Sequence, residues 1–199
     1  MKLSILICTI PQRADMFNAI YSKLLRQAES VGKGEVEILF NAQTEITTGH
    51  KRNLLIKESK GEFVVFVDDD DDVYDYYVDE IVKTIRENPD IDCIGTNGII
   101  SFNGQNHKKW FISKEYNHWH EQAEIYFRTP NHISPIRRSI AVSVPFPNVF
   151  VGEDSAFSIA VHPLLKKEAL IQKPMYHYQS RTSITPLVEN GAPYRPAWR

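Results

Sequence analysis

Two rhythms of apolar residues divide the first hundred positions. Leu3 to Ile10 ("LSILICTI") is nearly continuous apolar chain, the pattern of a strand covered on both faces in a parallel sheet. Asp15 to Gln27 then spaces Met16, Ile20 and Leu24 as one face of a helix. "VGKG" breaks that pattern, and Val36 to Phe40 ("VEILF") forms a second strand. "HKRNLLIKESKG" predicts a helix closed by Gly61, and "EFVVFV" a third strand. From Asp75 to Asn88 the stripe Val78, Ile81, Val82, Ile85 predicts a helix stopped by Pro89, and "DCIGTNGIISF" begins a fourth strand. This alternation predicts an α/β fold: a doubly wound, mostly parallel central sheet with right-handed crossovers and flanking helices.

The second half is less regular. "KKWFISKEYNHWHEQAEIYFR" alternates aromatic and polar residues, as paired strands do. "NHISPIRRSIAVSV" reads as a loop entering a short helix, "GEDSAFSIAVHPLLKKE" as another helix, and "ALIQKPMYHYQ" as a final strand. The expected domain is a single one over residues 1–185, with a Pro- and Gly-rich tail over 186–199.

Composition narrows the class. With 199 residues, a net charge of −2 and no long basic stripe, the chain has no general attraction to nucleic acid or membrane. No apolar run approaches the roughly 20 residues of a spanning helix. "MKLSILICTIPQR" lacks a small-residue cleavage site and reads as a buried strand rather than a signal peptide. Cys8 and Cys93 lie inside apolar runs, which points to free thiols in a reducing compartment and so to a soluble, cytoplasmic protein.

The chemistry concentrates at Asp68–Asp72, five consecutive carboxylates behind an apolar strand. Like charges so close raise one another's pKa unless water screens them or a cation holds them. In open α/β sheets ligands bind beyond the carboxyl ends of the strands, and Mg²⁺ or Mn²⁺ there is held by one or two carboxylates plus substrate phosphates. An EF-hand fails, because Val73 stands where that loop needs glycine. Two enzymatic readings stay open, a haloacid-dehalogenase-type phosphatase and a nucleotide-sugar transferase, beside a non-catalytic binding module.

"TTGHKRNLLIKESKGEFVVFVDDDDDVYDYYVDEI" resembles the glycosyltransferases of the GT-A fold, family 2 in particular, through Gly49, Arg52, Asn53, Gly61 and Asp68-Asp69-Asp70 in order and spacing. "LSILICTIPQR" is similar to that family's first strand and loop, and "NHISPIRRSIAVSVPFPNVFVGEDSAFS" to its acceptor-side segment. The resemblance implies a Rossmann-like domain whose residues 1–100 bind the nucleotide-sugar donor and whose residues 101–185 bind the acceptor. It implies inverting transfer from a nucleoside-diphosphate sugar to a hydroxyl of a glycan, protein or modified nucleic-acid base, with Mn²⁺ or Mg²⁺. Asp70 would be the direct metal ligand, Asp68 would bind ribose or help order the metal, and Asp69 and Asp71 are second choices. Thr9, Pro11 and Arg13 would line the base pocket. Lys51, Arg52 and Asn53 would approach the nucleotide or its diphosphate. Asn41 stands where the family carries an aspartate for the nucleoside. Asp154 would be the general base and Glu153 would orient the acceptor. His177 would be a further metal ligand or a packed histidine, and His132 would face the acceptor or cap a turn. Trp110, Trp119 and Tyr116 either stack on a sugar or form the core of a small sheet.

Overall fold

A computed structural model of the chain describes residues 1–181; the expected tail, 186–199, and the domain end at 185 lie outside the described residues. Strand β1 (Leu3–Cys8) leads through a single 3₁₀ turn, Pro11–Arg13, into helix α1 (Ala14–Val31). Then follow β2 (Val36–Asn41), α2 (Thr48–Glu58), β3 (Phe63–Phe66), β4 (Asp72–Val73), α3 (Tyr77–Glu87) and the long strand β5 (Cys93–Phe102). The second half contributes β6 (Gln105–Ile112), β7 (His120–Gln122), β8 (Ile125–Arg128), β9 (Ile136–Arg137), α4 (Arg138–Ser143), α5 (Glu153–Val161), β10 (Glu168–Leu170) and β11 (Tyr176–Ser180).

The sheet runs β2-β1-β3-β9-β5-β6-β8-β7, with β1 parallel to both β2 and β3. Because successive side chains point to opposite faces, β1 and β3 split into two sets. Leu3, Ile5, Ile7, Phe63, Val65 and Val67 pack with α1 and α3 through Ile20, Leu24, Val78, Ile81 and Ile85. Leu6, Val64 and Phe66 face the other way, onto α2, α4 and α5 through Leu55, Ile56, Ala141, Phe157 and Val161. Burial on both faces is why the two strands read as nearly continuous apolar runs, Ser4 being the one polar residue.

Three expectations need correction. Gly61 does not close α2, which ends at Glu58 with Ser59 as its cap. Gly61 is instead pressed against β1, where a Cβ would lie 2.5 Å from the Ser4 nitrogen, and its N–H donates to Ser4 Oγ at 2.8 Å. "SPIRR" is more than a loop: β9 slots in antiparallel between β3 and β5. The single final strand is two, β10 and β11, both parallel to β5 and following each other along it, at Cys93–Gly95 and at Gly98–Phe102.

Candidate active site

Past β3 the chain enters the aspartate turn, closed by the Asp71 N–H donating to the Asp68 carbonyl at 3.2 Å. The five carboxylates have different partners. Asp69 turns inward and accepts from Thr9 Oγ1 and Arg13 Nη1, both at 2.7 Å. Asp71 also turns inward, accepting from the Tyr176 hydroxyl at 2.8 Å and the Gln179 N–H at 2.7 Å. Asp72 pairs with Lys23 at 2.9 Å. These three tie the turn to the end of β1, to β11 and to α1.

Asp68 and Asp70 are left at the mouth. Asp70 sits 3.3 Å from Arg13, but burial and the charges of Asp68 and Asp69 outweigh that partner and push its carboxyl up to about 6. Burial, then Asp70 and Asp68, push the Asp71 carboxyl well above the usual carboxylate range. Among the described residues, a cleft of about 330 Å³ opens beside Asp70, between α1 and the turn.

Asp68 anchors the larger constellation. Its Oδ1 accepts from Arg52 Nη2 and its Oδ2 faces His132 Nε2, each at 3.2 Å. Burial opposes its charge, yet His132 and Arg52 prevail and hold it below the usual carboxylate range. Arg52 is buried over the Phe66 ring at 4.7 Å, and its Nε donates to Glu153 Oε1 at 3.2 Å. One guanidinium therefore bridges the aspartate turn and the first residue of α5. Burial pushes the Glu153 carboxyl up, against the pull of Arg52. Asp154, next along α5, keeps part of its side chain in solvent, with Oδ2 3.9 Å from His132 Nδ1. Residues 52, 68, 132, 153 and 154 thus form one continuous cluster.

Several expected nucleotide contacts are otherwise engaged. Lys51 is buried and its Nζ donates to the Thr9 carbonyl at 2.8 Å, with burial pulling its pKa down. Arg52 is a buried clamp rather than a surface contact. Asn53 exchanges two hydrogen bonds with the Phe146 backbone, both at 2.9 Å, and so holds the loop ahead of Glu153. Asn41 closes a local turn with Gln43, and Pro11 is exposed at the start of its 3₁₀ turn. His177 lies on β11, its Nε2 2.8 Å from Ser101 Oγ and its ring beside His107, so it does not join Asp68 and Asp70. Trp110 is core, Trp119 donates to Thr129 Oγ1 at 2.9 Å, and Tyr116 packs on Phe127. The sequence left His132 between two roles; its place is set by the β3 end, where its carbonyl accepts from the Phe66 N–H at 2.9 Å.

Among the described residues, no group of three or more His, Cys, Asp or Glu is arranged to hold a metal by itself. Asp70 still suits a hard cation, because a carboxylate pushed up by neighbouring negative charge is relieved by a positive one, and Mg²⁺ or Mn²⁺ takes its remaining ligands from phosphates and water. No helix among the described residues is long and apolar enough to cross a membrane.

Crystal structures of S. aureus TarS share the fold. The 1-349 form aligns with TM-score 0.62 at 16% identity, covering 90% of this chain and 60% of that one. Its complex with UDP aligns at 0.66 and 18%, with the same coverage, and its complex with UDP-GlcNAc at 0.61 and 16%, covering 91% and 59%. The chain thus spans about 60% of the length of those structures. A comparison with curated proteins finds no match. The model of the family "Glycosyl transferase family 2" matches residues 20–144, from α1 through the aspartate turn and His132 to the end of α4, and the chain belongs to that family.

Proposed function

We propose that the chain transfers a sugar from a nucleoside-diphosphate sugar to an acceptor hydroxyl, with inversion and with a divalent cation. The observation that carries this is the Arg52 bridge: one guanidinium reaches Asp68 in the aspartate turn and, 101 residues further along the sequence from Arg52, Glu153 at the start of α5. A transferase needs a donor site and an acceptor base side by side. Family membership sets the phosphatase aside, and the UDP and UDP-GlcNAc complexes of the TarS structures support a nucleotide-sugar donor.

Both oxygens of Asp68 face partners, so Asp70 is the carboxylate that would hold Mn²⁺ or Mg²⁺. When bound, the cation would neutralise charge on the departing nucleoside diphosphate. Arg13, 3.3 Å from Asp70, adds a second positive charge at that end. Asp154 takes the acceptor proton as the hydroxyl oxygen attacks the anomeric carbon from the face opposite the leaving group. Arg52 fixes the helix start that carries Asp154 through Glu153. Donor contacts belong to the first hundred residues and acceptor contacts to residues 101–185. Free Cys8 and Cys93 support a cytoplasmic setting.

Thermal melting with UDP-GlcNAc, UDP-glucose, GDP-mannose and dTDP-rhamnose, each with and without Mn²⁺, tests the proposal. One donor should raise the melting temperature in a Mn²⁺-dependent way, since a ligand of the folded state must stabilise it. No shift with any of them, alongside no release of nucleoside diphosphate, would remove the enzymatic reading.

A further inference from the structure

Tyr176 opens β11 and is 1% exposed. Its ring packs between Trp110 and Tyr77, with centroids 6.2 and 6.4 Å away. Its backbone lies against Gly98 of β5, where a Cβ would fall 1.9 Å from the Tyr176 carbonyl oxygen, so the two strands meet this closely only because position 98 is glycine. The packing directs the hydroxyl at the aspartate turn. Its oxygen accepts from the Asp68 N–H at 3.0 Å, and its O–H donates to Asp71 Oδ2 at 2.8 Å. One phenol therefore holds both ends of the turn that the Asp71 N–H closes onto the Asp68 carbonyl. Asp70 is carried between those ends. The same segment adds two ties, the Gln179 N–H on Asp71 Oδ1 at 2.7 Å and Arg181 Nη1 on the Asp70 carbonyl. Strand β4, which leaves the turn, pairs with β11 where Val73 meets Tyr176.

We infer that Tyr176 is a positioning residue for the cation site, its hydroxyl fixing the turn so that Asp70 presents its carboxylate where Mn²⁺ or Mg²⁺ can use it. The inference rests on Asp70 being the cation ligand. Mg²⁺ demands near-ideal octahedral geometry, and such ions are held through one or two carboxylates plus phosphates, so the placement of a single carboxylate decides how well the ion is bound. Groups behind a ligand that orient it are commonly worth 10- to 100-fold in metal affinity. Tyr176 acts from behind: it is buried and grips the Asp68 backbone and the Asp71 side chain, not Asp70 itself. It therefore serves the ion without being a nucleotide contact. A residue from the far end of the described chain thus sets the geometry of a turn built before residue 73.

Calorimetric titration with UDP, GDP and dTDP, each with and without Mn²⁺, reads the inference without an acceptor and without turnover. In the wild type, Mn²⁺ should tighten the binding of one of them. Tyr176→Phe keeps the ring and removes only the hydroxyl. It should reduce that Mn²⁺ enhancement roughly 10-fold, with affinity in the absence of metal unchanged. Hydrolysis of the matching donor should show the apparent KM for Mn²⁺ raised by a similar factor and kcat recovered at saturating Mn²⁺. Ile85→Val, which loosens the core under α3 without touching the turn, separates this from a general loss of stability and should keep the full enhancement. An undiminished enhancement in Tyr176→Phe, an equal loss of affinity with and without Mn²⁺, or the same loss in Ile85→Val would overturn the inference while leaving the transferase standing. A wild type that binds nucleotide equally well without Mn²⁺ removes the cation and this role together, and one that binds none of the three removes the donor site as well.

Discussion

Replacing Asp70 with asparagine should stabilise the metal-free protein while disabling its use of Mn²⁺. The Asp70 carboxyl is pushed up to about 6 by burial and by its neighbours Asp68 and Asp69, whereas an aspartate in an unfolded chain titrates near 3.9. A raised acid binds more protons folded than unfolded between those values, so stability falls as pH climbs from about 4 to about 6 and stays lower above. Two units correspond to about 3 kcal/mol; the side chain is partly open to solvent, which leaves about 1–3 kcal/mol. Asparagine removes this term and also relieves Asp71, whose carboxyl Asp70 helps to push up. For a chain of this size the gain amounts to roughly 3–10 °C in melting temperature. Urea unfolding of both forms, metal-free, at about pH 4 and about pH 7.5 measures it. The variant should be the more stable at the higher pH and equal at the lower, while donor with Mn²⁺ raises the melting temperature of the wild type alone. A variant that is less stable at the higher pH, or an offset of the same size at both, would refute the reasoning.

Asp154→Asn should lower turnover by roughly 10²–10⁴-fold, the usual worth of a positioned base, with donor affinity by calorimetry unchanged; wild-type turnover would reduce Asp154 to a helix-start carboxylate. Arg52→Met leaves Asp68 and Glu153 without their shared guanidinium, and urea midpoints should show a loss of about 3–5 kcal/mol. An unchanged midpoint would mean that the clamp carries no weight. Gly49→Ala would place a methyl carbon 1.9 Å from the Pro147 carbonyl oxygen. The strain should cost about 1–3 kcal/mol and reduce turnover as well, because the displaced loop leads into Glu153; rates at wild-type level would separate that loop from the chemistry.

The elements of the first half were legible because strands buried on both faces and amphipathic helices leave plain periodic traces. Where the sequence misled, the missing information was tertiary. A two-residue strand such as β9 has no period to detect, and the break between β10 and β11 depends on where each pairs along β5. Arg52 was expected at the nucleotide, and its place as a buried clamp was not legible: α2 buries Gly49, Lys51 and Arg52 on its inner face alongside Leu55 and Ile56, and spacing alone does not reveal a polar inner face. The five aspartates were visible, but their division of labour was not. It rests on partners as distant as Thr9, Tyr176 and Gln179. His132 acquires meaning only once Asp68 and Asp154 flank it.

The Arg52 bridge also bears on how this chain can be recombined. Its guanidinium and the aspartate turn come from before residue 100, whereas His132, Glu153 and Asp154 come from after it. Strand β5 lies at the seam, pairing with β9 and β10 along its first residues and with β6 and β11 along the rest. A chimera that joins the front of this chain to the back of a relative at the β5–β6 connection would separate Arg52 from the glutamate it was matched to. A hybrid lacking a compatible carboxylate would leave the buried guanidinium beside Phe66 with Asp68 as its remaining ionic partner. Swaps meant to alter the acceptor therefore have to carry positions 52, 68, 132 and 153 as a single inherited unit, even though the chain distributes them over half its length.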